Sequence, residues 1–423
     1  MAVNIMQAHK VPETSILHVI GSMDPRLGGA SHGLRSLMPL LERVGVRNEA
    51  VCMDDPCASQ DGDDGLGIHR IGSAGNPWQY NPTLTPWLTR HAGGFDAVVI
   101  HGMWLHHGLA VSRWVKGLRR SGTGRAPLLF VMPHGMLDPW FQEAPGRRLK
   151  ALRNSVYWRL VERSVVAAAD AMLFTTEEER SRARTAFPRY PNVRERVVGF
   201  GTLPPPEYSE PGMAYPYTEF PMGMEETYLL YLGRIHEKKG ADLLLDAYAR
   251  LRDDRLPALL MAGPGWDSAF GGSLRDRISG DDFLGKKVHT DGMLSGRRKW
   301  QALQGCEALL LPSHHENFGV TVAEALSCGR PVLLSDKVNI HREVTGAGAG
   351  LSATDDRDGV LSLISAWREM QADERDAMSH AARSLFEQRF HMEDCARRIL
   401  SVCRELQPQE STTPWMPTAL QTG

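Results

Sequence analysis

Residues Leu309 to Asp336 read LLLPSHHENFGVTVAEALSCGRPVLLSD, and this stretch decides the fold. The apolar run from Glu307 to Leu311 predicts a buried strand that stops at Pro312. A polar turn, Ser313 to Asn317, leads into a short amphipathic helix over Phe318 to Leu326. Gly329 ends that helix, and Pro331 opens a second buried strand. Strand, loop, helix and strand form the unit of a parallel sheet, with Glu316 at the C-terminal mouth of the first strand. In open α/β sheets that mouth is where ligands sit.

A second carboxylate, Glu324, lies further along the helix. On one continuous helix the two would stand about 80° apart in azimuth and ~12 Å apart in height. Paired glycosidase carboxylates need ~5–9 Å, so the spacing excludes that arrangement. It suits the two ends of an elongated ligand such as a sugar nucleotide. Between them the amides of Asn317, Phe318 and Gly319 open the helix, and Gly319 lets a ligand approach the backbone closely. Spacing alone fits an ordinary loop glutamate and a surface helix glutamate equally well.

The run E-N-F-G-V-T-V-A-E-A-L-S-C-G-R-P-V closely resembles the E-x7-E signature of the family 4 retaining glycosyltransferases. Both glutamates, the N-F-G between them and the trailing G-x-P-V match. Resemblance covers most of the chain and is strongest from Tyr228 to Asp336. It implies the α/β GT-B fold: two Rossmann-like domains, an interdomain cleft, and a C-terminal helix returning to the first domain. It also implies that Glu316 meets the hydroxyls of a donor sugar and Glu324 the ribose. Asn317, Phe318, Gly319 and Val320 would line the same donor site.

Composition agrees with a two-domain globular protein: 423 residues, 42% hydrophobic and 23% charged. A formal net charge of −2 gives no overall field that would favour nucleic acid. Six scattered cysteines suggest a reduced, cytoplasmic setting rather than a disulfide framework. The N-terminal MAVNIMQAHKVPETS lacks the apolar core of a signal peptide, and no apolar run is long enough to span a membrane.

In the first half, Ser15 to Ser22 predicts a strand, and Gly28 and Gly29 precede a helix from Ala30 to Leu41. A glycine pair there can turn amides toward an anion, and it can equally serve a plain tight turn. The resembled family places such a loop by the donor phosphates, which selects Gly28 and Gly29. Asp61 to Asp64 contains a D-x-D, read here as a solvated loop because no strong apolar strand leads into it. Neither it nor the histidines His101, His106, His107, His314 and His315 suggests a metal site, so no metal and no cofactor is expected.

Strands over Phe95 to Trp104 and Leu128 to Leu137 end in His-Gly and Pro-His-Gly. His134 therefore sits at a strand mouth, either as a ligand contact or as a core or capping histidine. The run P-H-G-M-L-D-P-W resembles members from bacterial polysaccharide assembly, in which the histidine lies beside the donor sugar. Asp138 follows as a candidate for orienting His134 or contacting the acceptor.

Gly146 to Ala169 predicts one long helix, basic at Arg147, Arg148, Lys150, Arg153, Arg159 and Arg163. Leu149, Leu152, Val156, Leu160 and Val161 give it an apolar face. Two readings stand: docking to an anionic membrane or lipid diphosphate, or a core-packed helix with a solvated basic side. Thr176 and Glu179 suggest a capping box.

The proline-rich residues 206–226 read as a linker between domains at 1–205 and 227–390. After the strand Thr227 to Leu232 comes Gly233-Arg234-Ile235-His236-Glu237-Lys238-Lys239-Gly240. Two cations at a strand–helix junction suit a diphosphate or an ordinary charged surface. The run resembles the family's G-R-L-x-x-x-K-G, which assigns Arg234 and Lys239 to the diphosphate and gives Lys238 no role. A final helix over 391–406 returns to the first domain, and 407–423 reads as a disordered tail.

The resemblance thus implies a retaining hexosyltransferase with Glu316, His134, Arg234 and Lys239 at its reacting centre. Its partners would be a UDP- or GDP-linked sugar and a glycan or polyprenyl-linked saccharide acceptor in exopolysaccharide or lipopolysaccharide assembly, at the inner face of the membrane. A sugar-nucleotide epimerase, and a non-catalytic scaffold that binds the sugar nucleotide, are the alternatives.

Overall fold

Two parallel sheets organise the computed structural model, which describes residues 14–27, 29–57, 65–72, 75–122, 125–144, 146–206 and 227–407. The first contains β1 (Thr14–Ile20), β2 (Val46–Cys52), β3 (Ile68–Arg70), β4 (Ala97–His101), β5 (Leu128–Met132), β6 (Ala171–Phe174) and β7 (Glu195–Val197). Their order is β3-β2-β1-β4-β5-β6-β7. The second contains β8 (Tyr228–Leu232), β9 (Ala258–Ala262), β10 (Val288–Asp291), β11 (Ala308–Leu311), β12 (Val332–Ser335) and β13 (Gly350–Ala353), ordered β10-β9-β8-β11-β12-β13. Gly28, the D-x-D at 61–64, residues 207–226 of the linker and the tail from 408 lie outside the described residues.

Both sheets follow the same physical logic. Central strands such as β1, β8 and β11 are buried along their whole length because helices cover both faces. In each sheet the strand order reverses at one point, between β1 and β4 and between β8 and β11. Loops leaving the C-terminal ends of these strands diverge there and leave a crevice.

The helix Met392–Leu406 packs on the helix Gly29–Arg43 of the first half. Cys395 Sγ donates to the Gly199 carbonyl, and Arg196 forms an ion pair with Glu405. The chain crosses between halves at Thr202, whose amide donates to Phe390 O while Met392 N donates to Thr202 O, both at 3.1 Å.

Several local expectations change. Strand β13 carries no apolar run in the sequence and exists through its pairing with β12. Glu179 does not close a capping box: Thr176 Oγ1 accepts from Glu179 N, but the Glu179 carboxylate takes hydrogen bonds from Thr175 and Gly135.

The long basic helix is Arg148–Tyr157, a π turn over Trp158–Glu162, and Arg163–Val166. Its inward side is Asn154, Trp158, Glu162 and Val165, all buried. Leu149, Leu152, Val156 and Leu160 face outward, at 84%, 64%, 50% and 75% exposure. The core-packed reading of that apolar face is therefore overturned. Spacing of three and four residues marks a stripe without saying which side of the helix the core takes.

Candidate active site

A crevice of about 500 Å³ lies between the C-terminal edges of the two sheets. From the first half Gly29, His101, His134 and Thr175 line it; from the second, Arg234, Lys238, His315 and Glu316. Asn317, Phe318, Gly319 and Val320 complete that side.

Glu316 is held at the mouth of β11 by its backbone. Its amide donates to Lys337 O and its carbonyl accepts from Asn339 N, each at 3.0 Å. Its carboxylate forms an ion pair with Lys239. Gly319, in the left-handed region at φ +77°, then starts the helix Val320–Ser327. A residue with a side chain is strained at that φ, which explains why the turn uses glycine.

Arg234 and Lys238 lie on the loop after β8. Among the described residues no carboxylate pairs with Arg234, so its charge is open to the crevice. Lys238 Nζ stands 4.7 Å from the centre of the Trp140 ring and 5.3 Å from that of Phe141. Burial, with Lys239, Arg234 and Arg147 nearby, pulls its pKa down to about 8 although Glu316 opposes the shift. The motif assigns no role to Lys238, yet this residue lines the crevice, while Lys239 turns to neutralise Glu316. The ordering of two adjacent lysines on a 3₁₀ turn is invisible to a motif.

His134 has φ +52° and Gly135 φ +80°. The Gly135 amide donates to Glu179 Oε1 at 2.5 Å, which holds this unusual turn. Burial raises the Glu179 carboxyl, against the pull of the Thr175 and Gly135 hydrogen bonds. A Cβ on Gly135 would lie 2.6 Å from Asn317 Cγ, so glycine here admits a side chain from the other half of the molecule. Asn317 Nδ2 then donates to Thr175 Oγ1 at 3.1 Å.

Three candidate residues stand apart from the crevice lining: Lys239, paired with Glu316, and the carboxylates Glu324 and Asp138. Glu324 is buried and ion-paired with Lys299 at 2.7 Å, so it is no ordinary surface glutamate. Asp138 is buried beneath the loop, where it accepts from Trp140 N at 2.8 Å and pairs with Arg182 at 3.4 Å. Burial works to raise its carboxyl, yet His315, the Trp140 amide and Arg182 hold it below the usual range. It orients neighbours and does not touch His134 in any described contact. Among the described residues no group of three or more His, Cys, Asp or Glu could hold a metal ion.

Residues 219–385 match the family model described as glycosyl transferases group 1, and residues 28–201 match the glycosyl transferase 4-like domain. The chain is 29% identical over 210 residues to a D-inositol 3-phosphate glycosyltransferase of Kineococcus radiotolerans, covering 47% of each chain. It is 30% identical over 173 residues to a GDP-mannose-dependent alpha-(1-6)-phosphatidylinositol dimannoside mannosyltransferase of Mycobacterium tuberculosis, covering 40% of this chain and 38% of that one. The chain spans about half the length of the curated relatives it matches.

In fold it is similar to sucrose-phosphate synthase of Thermosynechococcus elongatus, with TM-score 0.67, 18% identity and coverage of 93% and 99%. It is likewise similar to Anabaena HepE in complex with UDP, with TM-score 0.67, 15% identity and coverage of 93% and 100%. The two sequence matches meet the two sheets, one on each half: this chain belongs to the family 4 glycosyltransferases and has the GT-B fold.

Proposed function

We propose that this protein is a retaining glycosyltransferase that moves a hexose from a UDP- or GDP-linked donor to a hydroxyl of a glycan or lipid-linked saccharide. One observation carries the reading: Arg234, Lys238 and Glu316 from one half and His134 from the other converge on a single crevice. Cations there would match a diphosphate and stabilise the charge that develops on it as it leaves, the kind of term that often dominates catalysis. Glu316 would hold the sugar rather than attack it, and Glu324 would serve the ribose end once Lys299 yields. The acceptor would attack on the face the diphosphate leaves, with the leaving phosphate taking the proton. No metal is needed in this reading.

The donor class is supported by analogy alone. A relative is named for GDP-mannose, and a structural neighbour was solved with UDP. Lipid-linked substrates and a place at the inner membrane face, in exopolysaccharide or lipopolysaccharide assembly, accord with the outward Leu149–Leu160 ridge beside Arg148, Lys150 and Arg153. Arg147 contributes less, since it folds over Trp140 and Phe141.

Thermal-shift titration with UDP, GDP, ADP and their hexose conjugates, in EDTA, tests the reading. One nucleotide should stabilise the protein, and Arg234→Ala should abolish the shift. Nucleotide diphosphate should be released only when acceptor is present, which an epimerase would not do. Donor binding without turnover over an acceptor panel would instead favour a scaffold.

A further inference from the structure

Three imidazoles form a chain from the core of the first sheet to the crevice. His18, on β1, is fully buried, and its Nδ1 lies 2.9 Å from His101 Nε2. His101 ends β4, and its Nδ1 lies 2.9 Å from His134 Nε2. His134 lines the crevice, and Nδ1 is its one nitrogen outside the chain. At the far end His18 Nε2 is buried without a hydrogen-bond partner among the described residues.

We propose that His18 and His101 are positioning residues that fix His134 as its Nδ1–H tautomer, so that the crevice meets a hydrogen-bond donor and not a base. The inference rests on the transferase reading only for the identity of the ligand.

Burial lowers the pKa of His18 to about 3 and of His134 to about 4, and carries His101 well below the ordinary value. All three are therefore neutral at pH 7, with one N–H each. A neutral chain with two N–H···N bonds has two polarities. If protons point toward His18, its Nε2–H is an orphaned donor in the core, which native structures almost never tolerate. If they point toward the crevice, His18 Nε2 is a bare lone pair, His18 and His101 donate from Nδ1, and His134 presents Nδ1–H. The second polarity leaves no N–H unpaired in the core and turns the one remaining N–H, on His134, to the crevice.

The consequence is chemical. A saccharide hydroxyl beside His134 is met as an acceptor, and His134 cannot remove the acceptor's proton. That task passes to another group, in keeping with a leaving phosphate that takes it.

The test is a long-range ¹H–¹⁵N correlation spectrum of ¹⁵N-histidine-labelled protein at pH 7.5, without any sugar nucleotide. His134 is identified by the resonance lost in His134→Gln. The expected pattern is a protonated, pyrrole-type Nδ1 and a bare, pyridine-type Nε2. A protonated Nε2, an imidazolium or an averaged pair of signals overturns the proposal. His101→Asp supplies an acceptor at His134 Nε2 and should reverse the tautomer; His134 keeping Nδ1–H in that variant would show that His101 does not set it. The wild-type spectrum decides even if the variant fails to fold. Because no donor is present, a failure of the transferase reading would leave this result untouched.

Discussion

Lys239 and Glu316, 77 residues apart in the chain, form an ion pair that ties the loop after β8 to the loop after β11. Both side chains are mostly buried, at 16% and 21% exposure. Arg234 and Lys238 lie close enough to affect each other's charge. Glu316 therefore serves as counterion to a cationic cluster.

Glu316→Gln should leave that cluster unbalanced and cost about 1–3 kcal/mol of stability, less than a fully buried pair because water still reaches it. Lys239→Met combined with Glu316→Gln should cost less than the two single changes added together, by about 1 kcal/mol. Urea denaturation of the four proteins measures this. Strict additivity would mean the pair contributes nothing.

If the proposed donor binds beside Lys238, its affinity should depend on pH. Its pKa is lowered to about 8, so the ammonium is present at pH 7 and is lost as pH rises through 8. A diphosphate binds the charged form better, so the Kd for the nucleotide should rise between pH 7 and pH 9.5. An anion already bound raises the lysine's pKa and delays the loss. Calorimetric titration should find the dependence flattened in Lys238→Met; an unchanged profile in that variant would remove Lys238 from the site.

Glu162 should make the native state less stable as pH rises. It is buried in the π turn, accepts from Trp104 N at 2.6 Å, and burial raises its carboxyl to about 7. Between its unfolded pKa near 4.5 and this folded value the native state binds more protons than the unfolded one. Stability from this group is thus full below the unfolded value and lost as pH climbs through 7, by up to about 3 kcal/mol. Glu162→Gln, which keeps an acceptor for Trp104, should raise the Tm at pH 8 and not at pH 5. Equal shifts at both would refute the mechanism.

The outward ridge predicts binding to anionic vesicles. Trp78, itself exposed, stacks on Tyr157 with ring centres 4.8 Å apart and extends the apolar surface beside the basic residues. Each leucine taken into the lipid interface contributes about 1.5–3 kcal/mol. Leu152→Glu or Leu160→Glu should weaken cosedimentation with phosphatidylglycerol vesicles by about tenfold or more, while Tm stays nearly unchanged because both side chains are exposed. High salt should weaken wild-type binding as well. Equal binding to neutral and anionic vesicles would contradict the charge argument.

Much of the architecture was legible before any coordinates. The runs that became β1, β4, β5, β8, β9, β11 and β12 are short and apolar, bounded by glycine, proline or polar turns, and a strand buried on both faces needs that composition. The E-x7-E stretch and the Gly233–Gly240 loop announced both the family and the residues on one wall of the crevice. Less legible was β13, which borrows its strand conformation from a neighbour. The histidine chain was equally hidden, because His18, His101 and His134 are separated by 83 and 33 residues and only His134 stands in a recognisable motif.

The division has a physical reason. Periodicity, turn residues and short motifs report on backbone preferences, and these are decided within a few residues. By themselves they determined a chain of alternating strands and helices, with cationic and acidic loops at strand ends. Which lysine faces the crevice, which side of the Arg148–Tyr157 helix meets the core, and which nitrogen of His134 carries the proton depend on groups brought together from distant strands. Packing and hydrogen-bond satisfaction choose among those options, and they act only once the two sheets have formed.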